Sequence, residues 1–255
     1  MNFKDKLNDP TRILTTDVVV IPSAVVTQAV AAAGLDAVII DQEHGAVGRD
    51  SMHAMIAATA GTECAPLVRI VEMGDAHVKA ALDLGAEGIV FPLVRTAEDA
   101  AACVRSMRYA PTGLRGWGPF IGHSRWGGNI MEHMAEYGEK TVCCLLIETA
   151  EALENIDEIL STPGVDCAVL AQFDMSAALG IFGQFGHPDF VDACERVEAA
   201  AQRHGIPLGG GPARTEEEVN ALVARGYRMV AGFDVLRLKG AVAQSVAWAA
   251  NAKRG

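Results

Sequence analysis

Glu148 and Asp174 are the two residues of this 255-residue chain that first suggest chemistry. Each carboxylate stands where a buried apolar run gives out: VCCLLI before Glu148, and VDCAVLAQF before Asp174. They lie 26 positions apart (174 − 148), about one strand–helix–strand unit, so neighbouring strands would carry both at similar heights. Two bare carboxylates side by side repel and raise each other's pKa. A divalent cation removes that penalty, and two carboxylate ligands leave positions open for water and a two-pronged substrate, which suits Mg²⁺, Mn²⁺ or Co²⁺. Helix capping is the competing reading, because both residues precede stretches that can start a helix.

Arg69 ends the run PLV, and the triplet Asp41, Glu43 and His44 ends LDAVIIDQEH. A buried arginine needs a partner, and its planar fork matches a carboxylate held by two oxygens. That carboxylate is a substrate's, or else belongs to a structural ion pair with Glu43 or Asp83. An imidazole titrates near neutrality and suits proton transfer. At His44 the neighbouring acids stand ready to orient or tune the ring.

These residues converge only if the chain folds around them in a particular way. Short β-branched runs alternate with Ala-rich amphipathic stretches eight times, from TDVVVIPS with AVVTQAVAAAGL to YRMVAGFD with VLRLKGAVAQSVAWAANAK. Gly34, Gly85, Gly205 and Gly226 end helical stretches just before the next strand. The pattern predicts one (β/α)8 barrel domain over residues 1–255, whose active site sits at the carboxyl ends of the strands. A doubly wound sheet fits less well, since no GxGxxG follows the first strand. One connection, Arg108 to Thr141, is long and carries Tyr, Pro, Gly and Trp residues; such loops are uncommon without a function.

Other polar residues point less clearly. His53 and His77 lie in helical patterns, His187 precedes a helix it can cap, and His204 ends one. His123 in the long connection is a candidate for facing the site, and His133 lies in or after that connection. Gly209, Gly210 and Gly211 make only a weak anion-binding signal. Arg115, beside Trp117, is a candidate for an anionic substrate or an interface.

Composition narrows the class. Lys and Arg total 21 against 32 Asp and Glu, a net charge of −11, so no basic stripe is available to neutralise nucleic-acid phosphates. No apolar run approaches the ~20 residues of a membrane span, and MNFKDKLNDP lacks the apolar core of a signal peptide. The six cysteines form no CxxC pair and read as buried thiols in a reducing compartment. The expectation is a soluble cytoplasmic protein with no membrane or nucleic-acid partner.

Taken together, LDAVIIDQEHG, PLVRI, ALDLGAEGIVFPLV, MRYAPTGLRG, SRW, LIETAEALENIDEIL and GVD…DMSAALGIFGQFGHPDF occur in an order that resembles the HpcH/HpaI aldolases, metal-dependent pyruvate aldolases acting on 4-hydroxy-2-oxo acids. The resemblance spans nearly the whole chain. It implies a (β/α)8 barrel whose eighth helix is exchanged between subunits of an oligomer, a trimer of dimers. It implies that Glu148 and Asp174 hold a divalent metal, and that Arg69 binds the keto acid and steadies the enolate oxygen. His44 would handle protons through water. Asp41 and Asp83 would be further active-site or interface acids, Asp83 acting indirectly or across a subunit boundary. The implied reaction is retro-aldol cleavage to pyruvate and an aldehyde through a metal-stabilised enolate, with no Schiff-base lysine: Lys4, Lys6, Lys79, Lys140, Lys239 and Lys253 all fall away from strand ends. A neighbouring enolate reaction, oxaloacetate decarboxylation, is the alternative.

Two departures bear on the pocket. Leu146-Ile147-Glu148 stands where the family often has Gln-Ile-Glu, removing a polar neighbour of the metal. Ala171-Gln172-Phe173-Asp174 stands where the family commonly has Gly-Pro-Ala-Asp. Backbone amides there are expected to receive the substrate carboxylate, with Gln172, Phe173 and Asp174 lining its site. The Trp117–Phe120 and His123–Trp126 stretches are expected to shape the aldehyde pocket.

Overall fold

The computed structural model describes residues 1–126 and 129–252; Lys253 and the side chain of Trp126 lie outside the described part. Eight strands close into a parallel barrel in sequence order. They are β1 Leu14–Val19, β2 Ala37–Asp41, β3 Ala65–Arg69, β4 Gly88–Phe91, β5 Val142–Ile147, β6 Cys167–Leu170, β7 Leu208–Gly210 and β8 Met229–Phe233. Thirteen helices are described around it: α1 Phe3–Asn8, α2 Ala24–Ala32, α3 Arg49–Ala57, α4 Asp75–Asp83, α5 Ala97–Met107, α6 Gly122–Trp126, α7 His133–Tyr137, α8 Ala150–Glu154, α9 Ile156–Leu160, α10 Gln172–Ala178, α11 Pro188–His204, α12 Glu216–Ala224 and α13 Asp234–Asn251. The predicted eight-unit barrel is therefore what forms.

Local signals explain several boundaries. Ser23, Thr96, Thr149 and Thr215 accept amide hydrogen bonds at the starts of α2, α5, α8 and α12, and Thr96 with Asp99 completes a capping box. His187 caps α11 as expected, its Nδ1 accepting from Asp189 N at 3.2 Å. Gly34, Gly85, Gly205 and Gly226 take φ of 67–102°, the left-handed geometry that ends a helix. The first strand begins earlier than its β-branched run, because Leu14 pairs with Met229 of β8. The helical stretch after Glu148 is divided at Asn155 into α8 and α9.

Two apolar layers result. Phe3, Val18, Ile39, Leu67, Leu146 and Met229 belong to the layer inside the barrel, and α1 plugs its amino-terminal end with Phe3 and Leu7. A larger layer packs the strands against the helices, with Ile40, Val68, Ile89, Ile147 and Val197 among its members. All six cysteines are buried and unbridged.

One placement differs from expectation. The 108–141 connection joins α5 to β5, so it lies at the amino ends of the strands, away from the mouth where the carboxyl ends meet. There Arg115 is buried, donates to Asp83 Oδ1 at 2.8 Å and stacks over Tyr109 at 4.5 Å. His123 Nδ1 lies 2.9 Å from Pro119 O. Neither Arg115, His123 nor Trp117 lines the mouth of its own barrel, because an αβ connection leaves from the opposite end. The eighth helix, α13, is the one that the resemblance expects to be exchanged between subunits. Asp234 accepts amides from Val20 and Ile21, and Arg237 grips Asp17, but from Leu236 onward every described residue of the helix is exposed. The helix is anchored at its base and lays no face on its own barrel.

Candidate active site

The parallel register sets the first contact. Asp41 and Arg69, the last residues of β2 and β3, are paired across the sheet. Asp41 is fully buried and accepts from Arg69 Nε at 2.8 Å and Nη2 at 2.6 Å. The same Asp41 Oδ1 accepts the amides of Glu43 (3.0 Å) and His44 (3.3 Å), so one carboxylate fixes both the guanidinium and the turn that carries the acid and the imidazole. Glu43 also approaches Arg69 Nε at 3.4 Å. Arg69's internal partners are thus Asp41 and Glu43; the expected alternative, Asp83, is elsewhere. Burial works against Arg69's charge, but the Asp41 hydrogen bonds and the charges of Asp41 and Glu43 outweigh it, and its pKa is raised.

His44 is the exposed member, its side chain 65% accessible, with Nε2 3.8 Å from Glu43 Oε2. Glu43, not Asp41, is therefore the acid beside the ring. Glu43 thus fills both places its position in the sequence suggests, beside His44 and against Arg69. Its Oε2 is buried without a hydrogen-bond partner. Burial raises its pKa, the positive charges of Arg69 and His44 lower it, and Asp41 and Asp174 raise it further.

Glu148 follows β5 directly and is buried. It accepts the amide of Leu93, in the turn after β4, whose φ of 55° is unusual for a branched residue. Thr149, rather than Glu148, caps the following helix, so the capping reading fails at this position. Burial raises the Glu148 pKa, and the negative charges of Glu43 and Asp174 add to it. Asp174 is not at the same height as Glu148, as the spacing suggested. Leu170 ends β6 opposite Ile147, and Asp174 sits in the first turn of the short helix α10. Gln172 and Phe173 precede it there, Ala171 holds the cap position and no side chain caps that turn, so the capping reading fails for Asp174 too.

Glu43, Glu148, Asp174 and Arg69 thus feel one another's charges at the carboxyl ends of β2, β3, β5 and β6. Three acids face one buried cation, and Glu43 Oε2, though 3.4 Å from Arg69 Nε, accepts no hydrogen bond among the described atoms. This donor set suits a hard dication held by oxygens, although no ready-made group of three or more His, Cys, Asp or Glu with metal-site geometry exists among the described residues. A cavity of about 100 Å³ runs from Arg69, Gln172, Phe173 and Asp174 into the barrel. Its walls are small, because Gly209 packs its backbone where a Cβ would lie 2.9 Å from Val169. Leu146 lines it as an apolar wall.

Asp83 is the predicted site residue that does not join. It ends α4 at the amino-terminal face of the barrel and is held by Arg115. Nothing in its own subunit brings it to Glu148 or Arg69. The described lysines likewise stay away: Lys6 pairs with Asp36, and Lys4 with Asp166, below the barrel.

The chain has close relatives. The sequence profile of the HpcH/HpaI aldolase/citrate lyase family matches residues 20–239. A 2-dehydro-3,6-dideoxy-6-sulfogluconate aldolase of Pseudomonas putida is 33% identical over 212 residues, covering 82% of this chain and 81% of that protein. A 2-keto-3-deoxy-L-rhamnonate aldolase of Salmonella gallinarum is 33% identical over 191 residues, covering 73% of this chain and 71% of that one. The solved HpcH/HpaI aldolase from Desulfitobacterium hafniense superposes with a TM-score of 0.91 at 31% identity, covering 99% of this chain and 98% of that one. With the barrel, the paired acids at its mouth and these matches in agreement, the chain belongs to the HpcH/HpaI aldolase/citrate lyase family of carbon–carbon lyases.

Proposed function

We propose that this protein is a divalent-metal-dependent aldolase that cleaves a 4-hydroxy-2-oxo acid to pyruvate and an aldehyde. What supports this reading is that buried Glu148, directly after β5, lies within electrostatic reach of Asp174 and Arg69, which both line the cavity at the carboxyl ends of the strands. Mg²⁺, Mn²⁺ or Co²⁺ held by Glu148 and Asp174 would supply positive charge to the 2-oxo acid end of the substrate.

The protein's own residues account for the rest. Arg69, immobilised by Asp41, offers a fixed cation where negative charge develops on the enolate oxygen, and a fixed charge needs no reorganisation during reaction. His44 is open to water and next to Glu43, which suits it to take the C4 hydroxyl proton through a water. As that proton leaves, the C4–O pair becomes the aldehyde carbonyl, the C3–C4 bond breaks, and its electrons pass to C3. A proton returned to C3 gives pyruvate. The apolar cavity walls keep bulk water from the carbanion. Gln172 and Phe173 border the place where the substrate's carboxylate end enters.

A second copy of the chain completes the assembly in this reading. The α13 helix carries Leu238, Val242, Val246 and Trp248 in water, an arrangement that suits exchange with a partner in a hexameric trimer of dimers. Among the described residues no helix is long and apolar enough to cross a membrane, and unbridged cysteines fit the reducing cytoplasm. The deciding experiment follows pyruvate and aldehyde together from a panel of 4-hydroxy-2-oxo acids and oxaloacetate, with chelator and then added metal. Equal, metal-dependent release of both supports the aldolase. Pyruvate without aldehyde, from oxaloacetate alone, overturns it in favour of a decarboxylase.

A further inference from the structure

Buried thiols are nucleophiles that the proposed cleavage leaves unused, and two of them face the inside of the barrel. Successive side chains of a strand point to opposite sides of the sheet. On β5, Cys144 joins the inner layer with Val142 and Leu146, whereas Cys143 joins the outer layer with Leu145 and Ile147. On β6, Cys167 also belongs to the inner layer. The parallel register sets Cys144 directly beside Cys167. A hydrogen bond with Cys144, followed by burial, holds the Cys167 thiol well above its ordinary pKa, so the pair keeps its protons.

Both thiols border open space. The cavity of about 100 Å³ that begins at Arg69 and Asp174 is lined further in by Cys144 and Cys167, and by Phe3 at the amino-terminal plug. About 10–15 Å³ of such space holds one water, so a molecule of a few heavy atoms has a path from the mouth to the two sulfurs. The pair is separate from the acid cluster: Cys144 precedes Glu148 by four residues (148 − 144), which is ~13 Å along a strand at ~3.3 Å per residue. Its surroundings are apolar, with Val90, Leu146, Val169 and Met229 on the same cavity wall. An ion that entered would lose its hydration. A tetrahedral metal would also lack ligands, because no group of three or more His, Cys, Asp or Glu with metal-site geometry exists among the described residues. Two neutral thiols in a narrow apolar cavity suit a small, uncharged, sulfur-seeking electrophile that is held by two sulfurs.

We propose that Cys144 and Cys167 form a dithiol site for trivalent arsenic, taken up as arsenous acid through the mouth of the barrel. Two S–H and two As–O bonds break, two As–S bonds form, and two waters leave, each carrying one thiol proton. The third hydroxyl stays on arsenic. Arsenic remains trivalent, so no oxidant is consumed, and no charge is left in the core. This chemistry is independent of any aldolase activity, and its readouts need none.

The test soaks crystals of the full-length protein in arsenite and locates arsenic by its anomalous scattering. Protein saturated in solution and then desalted is assayed for arsenic per chain. The expected result is one arsenic per chain, between the Sγ atoms of Cys144 and Cys167. Cys144→Ala and Cys167→Ala should each weaken arsenite binding at least tenfold, since one thiol holds arsenic by a single bond. Cys103→Ala, which alters the outer layer, should leave it unchanged. Circular dichroism checks that the variants fold; if they do not, the anomalous map of the unaltered protein decides. Arsenic found elsewhere overturns the proposal, including at Cys143 with its neighbour Cys103. So does saturated protein that retains no arsenic, or a folded Cys144→Ala protein that binds it as before.

Discussion

Asp41 holds Arg69 by both carboxylate oxygens, at 2.8 and 2.6 Å, across the register of β2 and β3. Asp41→Asn keeps the shape but gives up one charge-assisted acceptor. Arg69 is then left with Glu43, 3.4 Å from its Nε. Removing one partner of a buried pair costs ~3–5 kcal/mol when the remaining charge is uncompensated. Glu43 compensates part of it here, so the expected loss of stability is about 2 kcal/mol. The kcat/KM should fall roughly 100-fold, the usual effect of displacing a fixed donor at a developing oxyanion. Denaturant unfolding and steady-state kinetics on the same preparation check both numbers. Unchanged kinetics would show that the grip on Arg69 serves only the fold.

Glu148→Gln separates a metal ligand from a structural carboxylate. Burial and the nearby charges of Glu43 and Asp174 raise the pKa of Glu148, so its negative charge at neutral pH opposes folding when no cation is present. The metal-free variant should therefore melt at or above the temperature of the unaltered protein. It should also lose the rise in Tm that Mn²⁺ produces, and most of its activity. Calorimetry with and without Mn²⁺ makes the comparison. A persistent Mn²⁺ shift in the variant would remove Glu148 from the ligand set.

Asp83 lies at the end of its barrel opposite the acids, beside exposed Leu114, Trp117, Phe120 and Ile121. It can reach the chemistry only from a second copy. Asp83→Asn and Glu148→Gln proteins should each be nearly inactive alone. Refolded together, they should regain roughly a quarter of normal activity, because some sites then combine an intact Asp83 with an intact Glu148. No recovery on mixing would confine Asp83 to holding Arg115, with a stability loss of ~1–3 kcal/mol as its signature.

The exposed stripe Leu238, Val242 and Val246 repeats every four residues along α13, with Trp248 beyond. Val242→Asp with Val246→Asp places charge within that stripe without touching the barrel. Sedimentation should show smaller particles, with the barrel's circular dichroism retained. A particle size equal to that of the unaltered protein would mean that α13 is not the association surface.

His133 is buried next to Tyr137, and its pKa is pushed down to about 4 by burial, with Arg115 and His123 adding to it. The folded protein thus favours the neutral ring, while the unfolded chain takes up a proton near pH 6.5. This stabilising contribution is complete above pH 6.5 and fades as pH falls toward 4. His133→Gln should flatten the loss of stability over that window, as read from denaturation midpoints at pH 7.5 and 5.

The sequence alone determined the eight-fold alternation of strand and helix, because side-chain burial on both faces leaves its mark in composition and several helix starts and stops carry their own caps. It also determined which residues end the strands: Asp41, Arg69 and Glu148 stand where the apolar runs stop. Tertiary structure decided how those residues meet. The cross-strand register turned Asp41 toward Arg69 and left Glu43 Oε2 without a hydrogen bond, and no local pattern encodes a register. The start of α10 moved Asp174 one turn past its strand. The Leu93 amide reached Glu148 through a backbone angle invisible in residue identities. The direction of the chain placed the 108–141 connection, with Asp83 and Arg115, at the far end of the barrel, since the polarity of a loop is a property of the closed barrel and not of the loop's own composition.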